Sequence, residues 1–156
     1  MNKTRNKGNR GNRGAENRSR KSHTSHKSKT IVKTMTGIQI VENGSVVATA
    51  MYNIMGNKFY IVNIFVDHGH RGNGNGKKAL KELLKIAFSN PNVTVVELTD
   101  ETQSDQFNPT RIPNNMYNNS GFVHSGKSGP YHKNDKILTR DAYLAQTLRS
   151  GYLNSP

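Results

Sequence analysis

Cysteine is absent from the 156 residues. That excludes structural disulfides and any cysteine nucleophile. Acidic residues are scarce: 10 Asp and Glu stand against 23 Lys and Arg, for a net charge of +13. Apolar residues are scarce as well, at 32%, so a sizeable part of the chain is expected to stay unfolded. No apolar run approaches the roughly 20 residues of a membrane span, and no secretory hydrophobic stretch follows the N-terminus. The expectation is an intracellular, soluble protein, cytoplasmic or nuclear, with no membrane partner. Among the six histidines, His68 and His70 flank a glycine while His124 and His132 are distant. With no cysteine and no His-x-x-x-His helix, no metal site is expected.

The shortage of acid and apolar residues is concentrated at one end. Residues 1–30 hold ten lysines and arginines against the single acid Glu16, a charge of +9, which leaves +4 for the remainder. Met1 and Ala15 are the only aliphatic or sulfur side chains there, so the stretch has nothing to bury and is expected to be a disordered tail. Asn6-Lys7-Gly8, Asn9-Arg10-Gly11 and Asn12-Arg13-Gly14 form a short repeat of Asn-basic-Gly. Repeats of this kind contact nucleic-acid backbones through charge, and Arg18-Ser19-Arg20-Lys21 fits a nuclear-import signal. The bland alternative is a solubilising tail without a partner. Residues 31–156 then form one compact domain, long enough for a modest core.

Within that domain, Ile31–Met35 and Gly37–Val41 read as strands. Asn43-Gly44 suits the two positive φ angles of a type I′ hairpin turn, and Ser45–Tyr52 is the return strand. Phe59–Val66 is nearly continuously apolar, as expected of a central strand covered on both faces. Leu80, Leu83, Leu84, Ala87 and Phe88 give a helical stripe, with Lys78 and Glu82 spaced to pair on the wet face. Val93–Leu98 reads as a buried strand, parallel to the previous one through a right-handed crossover. Thr99–Ile112 is a polar loop. A short helix is expected over Pro113–Ser120 with Pro113 at its first position and Gly121 just past its end. A last hairpin joins Tyr131-His132 to Lys136–Thr139, and Asp141 caps a closing helix over Ala142–Leu148.

Between the apolar strand and the striped helix lies Arg71-Gly72-Asn73-Gly74-Asn75-Gly76. A helix start has unpaired N–H groups and partial positive charge, and glycines let a ligand approach the backbone. This is a phosphate cradle in outline. A nucleoside-triphosphate loop would need glycine where Arg71 stands and Ser or Thr where Lys78 stands. The dinucleotide fingerprint would need glycine at Lys77. The pattern that remains, R-x-x-G-x-G directly after a strand, resembles motif A of the GNAT superfamily of N-acetyltransferases. Tyr117-Asn118-Asn119-Ser120-Gly121-Phe122 is similar to motif B of the same superfamily, and stands in the right order. The resemblance covers Ile38 to about His124.

The resemblance implies an α/β (α+β) fold: a mixed, mostly antiparallel sheet whose central parallel strands, here Phe59–Val66 and Val93–Leu98, splay apart to admit a thioester. It implies acetyl-CoA as cosubstrate. By position, Phe65, Val66 and Asp67 would meet the pantetheine arm through their backbone. Arg71, Gly72, Asn73, Gly74, Asn75 and Gly76 would offer amides to the pyrophosphate, with Arg71 and Lys77 adding charge. Tyr117 matches the tyrosine that protonates the departing thiolate in many relatives, or else packs on Phe122. Glu97 is a candidate catalytic carboxylate, with Asp67 and His68 as other possible bases. The two helices with which relatives usually begin are replaced by the basic tail. The leading expectation is an N-acetyltransferase acting on an amine, such as a protein lysine or N-terminus. The alternative is a non-catalytic nucleic-acid-binding or packaging protein that keeps the fold. A small-molecule acceptor is disfavoured by the positive charge.

Overall fold

The computed structural model of the chain describes residues 28–101 and 115–153, the last three by backbone alone. The basic segment before residue 28, the polar loop from residue 102 onward and Pro113 lie outside the described residues. Strand β1 (Lys29–Lys33) begins two residues inside the segment that composition assigns to the tail. It is followed by β2 (Gly37–Glu42), β3 (Ser45–Met55) and β4 (Lys58–Val66), then a 3-10 turn at His68–His70 and helix α1 (Asn75–Ser89). Next come β5 (Val95–Thr99), the one-turn helix α2 (Met116–Asn119), β6 (Val123–His124), β7 (Asp135–Thr139) and α3 (Arg140–Leu153). Among the described residues the strands form one seven-stranded sheet in the order β1-β2-β3-β4-β5-β7-β6. β4 and β5 run parallel and the other neighbours antiparallel.

Local chemistry sets most of these elements. Asn43 and Gly44 have φ of 53° and 80°, both positive as a type I′ turn requires. The stripe of α1 is buried as Ala79, Leu80, Leu83, Leu84, Ala87 and Phe88, packed on β2, β3 and β4. Each buried leucine contributes about 1.5–3 kcal/mol relative to an exposed one. The helix closes through a distant residue. The Arg140 guanidinium donates to the carbonyl of Phe88 at 2.9 Å and to those of Asn90 and Val93, placing a cation where the helix dipole is negative. Lys78 does not pair with Glu82. Its ammonium donates to the Lys29 carbonyl at 3.1 Å, and Glu82 is taken by Lys85.

Three boundaries move for identifiable reasons. Helix α2 starts at Met116 because the Asn115 side chain accepts the amide of Asn118 at 2.9 Å, an N-cap that fixes the start more firmly than Pro113 would. Thr139 Oγ1 accepts the amide of Ala142, so α3 begins earlier than expected and Asp141 falls in its first turn. The last hairpin pairs β7 with Val123–His124, not with Tyr131-His132.

The largest departure is in β4. Its pairing with β3 passes from Tyr52↔Ile61 to Met51↔Asn63, skipping Val62. An extra residue in one strand flips the faces beyond it and bends the strand. Phe59 and Ile61 are buried before the bulge, and Ile64 and Val66 are half-buried after it. Val62 and Phe65 stay exposed, at 45% and 51%. The continuous apolar run therefore reflects a change of parity, not a strand covered on both faces. Pairing of β4 with β5 is confined to Lys58↔Val95, Phe59↔Val96 and Tyr60↔Glu97. Just past that point the bulge turns β4 away, and β5 continues beside β7 to Thr99.

Candidate functional site

The turn after β4 has the geometry of an anion cradle. Gly72 and Gly74 have φ of 78° and 74°, a region L side chains resist. Gly74 is the N-cap of α1, and no side chain caps that end. The first amides of the helix, at Asn75, Gly76 and Lys77, have no carbonyl one turn earlier to bond. The Asn75 side chain is buried and braces the turn, with Nδ2 donating to the His70 carbonyl at 3.0 Å and Oδ1 accepting from Lys29 Nζ at 2.9 Å. Arg71 Nε donates to the Val66 carbonyl at 3.2 Å, which ties the turn back to the end of β4.

A cleft of about 610 Å³ opens between this turn and the edge of β4 that β5 has left. Of the residues expected from sequence, Phe65, Val66, Arg71, Gly72 and Gly74 line it, as do Asn75, Gly76, Lys77 and Tyr117. Ile64, His70 and Met116 line it too and were not foreseen. Asn73 and Asp67 are not on its wall. Asn73 turns its carbonyl to Lys29 Nζ, and Asp67 donates its amide to the Val47 carbonyl at 3.0 Å. In an antiparallel ladder successive residues point their backbone groups to opposite sides. Asp67 and Phe65 therefore face β3, while Ile64 and Val66 turn N–H and C=O toward the gap that β5 has left, the Val66 carbonyl being taken by Arg71 Nε. The bulge at Val62 sets this parity, and nothing in the local sequence announces it.

Tyr117 forms the far wall. It is 9% exposed and packs edge-to-face on Phe122, with ring centroids 6.1 Å apart. Its helix is a single turn held by a buried polar cluster. Asp100, fully buried, lies 3.4 Å from Lys136 Nζ and accepts from Asn115 Nδ2 at 2.7 Å. Lys136 Nζ in turn donates to Asn118 Oδ1. Gly121, which follows the helix, has φ of 84° and lies against the Gln146 side chain of α3. The glycine of Y-x-x-x-G-F is thus required by conformation.

Glu97 stands at the crotch of the fork, beside Tyr60 in the last paired register, and does not line the cleft. Lys58 and Lys127 donate to its carboxylate at 2.9 and 3.2 Å. Burial raises its pKa, but the two lysines outweigh burial and hold it below the ordinary glutamate value. Asp135, next along on β7, is likewise held low by the His132 hydrogen bond and by Thr99, against a smaller opposing effect of burial. Asp67 bonds His70 Nδ1 at 3.1 Å, which places that imidazole at the rim of the cleft. Among the described residues no group of three His, Asp or Glu side chains is arranged to hold a metal ion. No helix among them is long and apolar enough to cross a membrane.

No curated protein sequence matches the chain. Solved structures do match in fold. Aminoglycoside acetyltransferase AAC(6')-Ib, in complex with coenzyme A, is similar at 20% identity and TM-score 0.55, over 72% of this chain and 70% of its own. The spermidine/spermine N-acetyltransferase SpeG of Vibrio cholerae is similar at 15% identity and TM-score 0.53, over 71% and 67%. The GNAT family N-acetyltransferase YhbS of Escherichia coli, in complex with CoA, is similar at 13% identity and TM-score 0.51, over 69% of this chain and 61% of that one. The chain thus spans about three fifths of the length of the Escherichia coli protein. The family described as acetyltransferase (GNAT) matches residues 10–111, a span that begins inside the basic segment and includes the fork and the glycine turn. That match takes in more than half of the sequence, and the chain belongs to the GNAT acetyltransferase family.

Proposed function

We propose that the protein is an acetyl-CoA-dependent N-acetyltransferase that transfers an acetyl group to an amine, such as a protein lysine or N-terminus. The observation that carries this reading is the fork: β4 leaves β5 after Tyr60, and the gap opens onto the uncapped start of α1. The residues present fit the coenzyme. The amides of Asn75, Gly76 and Lys77, with the Arg71 and Lys77 charges, suit a pyrophosphate. The inward backbone of Ile64 and Val66 suits the pantetheine amides. When bound, acetyl-CoA supplies an activated acyl carbon and a thiolate leaving group. The amine nitrogen bonds to that carbon as the C–S bond breaks, so nitrogen gives up one proton, to solvent at the cleft mouth, and sulfur takes one. The Val66 N–H faces the gap and can donate to the oxyanion. Tyr117, on the opposite wall, serves as the acid for the departing sulfur. Glu97 stays ionised at the crotch. Its lowered pKa makes it a weak proton acceptor, and with Lys58 and Lys127 on its two oxygens its part in this reading is to tie β5 to its neighbours at the fork.

Thermal unfolding tests the reading. Acetyl-CoA or CoA is expected to raise the melting temperature, and Gly74→Glu to abolish the rise by filling the cradle with a like charge. No shift of the wild-type chain at millimolar ligand overturns it. A second reading, a non-catalytic nucleic-acid-binding protein on the same fold, draws on the +9 charge of residues 1–30. The two are compatible if those residues tether the enzyme to nucleic acid and raise the local concentration of acceptor. Removing residues 1–27 is then expected to weaken DNA or RNA binding and flatten its salt dependence while leaving the coenzyme shift in place. Equal nucleic-acid binding after truncation overturns the tether.

A further inference from the structure

We infer that Lys29, the first residue of β1, is a positioning residue of the coenzyme cradle. It shapes the turn from behind and adds its charge. The inference rests on the coenzyme reading above. Lys29 lies 44 residues from Asn73, yet its ammonium donates to the Asn73 carbonyl at 3.2 Å and to Asn75 Oδ1 at 2.9 Å. The lock is reciprocal, since the Lys29 carbonyl accepts from Lys78 Nζ at 3.1 Å. Edge strand and helix start are therefore bolted together through both main chain and side chain.

Two consequences follow from the geometry. A trans peptide points its C=O and N–H in opposite directions. Fixing the Asn73 carbonyl on Lys29 therefore aims the Gly74 N–H away from Lys29, and Gly74 is on the cleft wall. Left to itself, a turn with glycine on both sides of Asn73 samples many orientations of that peptide, and Lys29 selects one. The second consequence concerns Asn75, which is 1% exposed. Its amide is spent at both ends, on Lys29 and on His70. A buried amide deprived of one partner must find another or move, so losing the ammonium loosens the first residue of α1. The ammonium also stands within hydrogen-bond reach of the turn, where it raises the potential felt by a diphosphate. Among the described residues two acceptors hold Lys29 Nζ. Nothing in its immediate sequence sets it apart from the nine other cations of residues 1–30.

The test is coenzyme binding by the full chain, measured by calorimetry with CoA and with inorganic pyrophosphate at several salt concentrations. Lys29→Met is expected to weaken CoA about tenfold, equivalent to 1.4 kcal/mol, and to reduce the salt dependence. Lys29→Arg keeps the charge and is expected to stay within about threefold of wild type. In turnover the loss falls on KM for acetyl-CoA, with kcat held, because the acyl end lies elsewhere in the cleft. If Lys29→Met impairs folding, Lys29→Gln, which keeps a donor without the charge, carries the comparison through the salt slope. A wild-type chain that binds CoA while Lys29→Met and Lys29→Gln bind it equally well, with the same slope, overturns the role of Lys29. A wild-type chain that does not bind CoA overturns the coenzyme reading itself.

Discussion

At one end of the cleft, the turn Arg71–Gly76 draws on its own residues (two glycines at positive φ, a helix that starts at once, Arg71 folded onto Val66) and on one distant brace, Lys29. At the other end, Tyr117 rides on a four-residue helix, far too short to be stable alone. Its place is set by Asp100 and Lys136 from elsewhere in the chain. The turn should thus tolerate loss of most distant partners, with Lys29 as its brace, whereas the tyrosine should not. An anion site can be built from backbone amides and so be local. A side chain carried on one helical turn needs a framework to place it.

The largest effect expected from this contrast is that of Lys136→Met. It removes the ammonium held 3.4 Å from the buried Asp100 carboxylate, a kind of loss that costs up to about 3–5 kcal/mol. Chemical denaturation is expected to show that loss, and turnover to fall further than CoA binding does. A variant as stable as wild type breaks the contrast. Tyr117→Phe is milder for the fold and sharper for the chemistry. Removal of a general acid costs about 100-fold or more in kcat, with CoA affinity unchanged. If affinity falls and kcat does not, Tyr117 is a wall and not an acid.

The smallest effect is one of pH. Glu97 and Asp135, which belong to the tyrosine side of the sheet, both have folded pKa values below the ordinary carboxylate range. The unfolded chain therefore takes up protons first. The stability they contribute is complete above the unfolded values and is lost as pH falls through the folded ones. Melting temperature is expected to be level near neutrality and to drop in the acid range. Glu97→Gln with Asp135→Asn flattens that drop only in part, since both side chains are partly solvated and screened. An unchanged acid limb assigns the drop to other groups.

Much of this arrangement was legible beforehand. Asn43-Gly44 fixes a hairpin, the leucine stripe fixes α1, and R-x-x-G-x-G directly after an apolar strand marks the turn. Y-x-x-x-G-F marks the tyrosine, because its glycine answers a local demand for positive φ. The parts that no local pattern shows are non-local. Phe59–Val66 seemed doubly covered because an apolar string does not reveal a skipped register at Val62. Phe65 and Asp67 turn their backbone groups to β3 and Ile64 and Val66 turn theirs away, a parity that follows from the skipped residue and that no local pattern shows. Composition places Lys29 with the tail, since it carries no sign of which cation will meet Asn75.

The sequence by itself determined the glycine turn, the helix behind it and the family to which they belong, since each depends on residues within a few positions of one another. Only the tertiary structure decided where β4 parts from β5, which amides face the gap, and which charges brace the turn and Tyr117. Those outcomes depend on pairing between residues tens of positions apart, and no local preference of the chain encodes such a pairing.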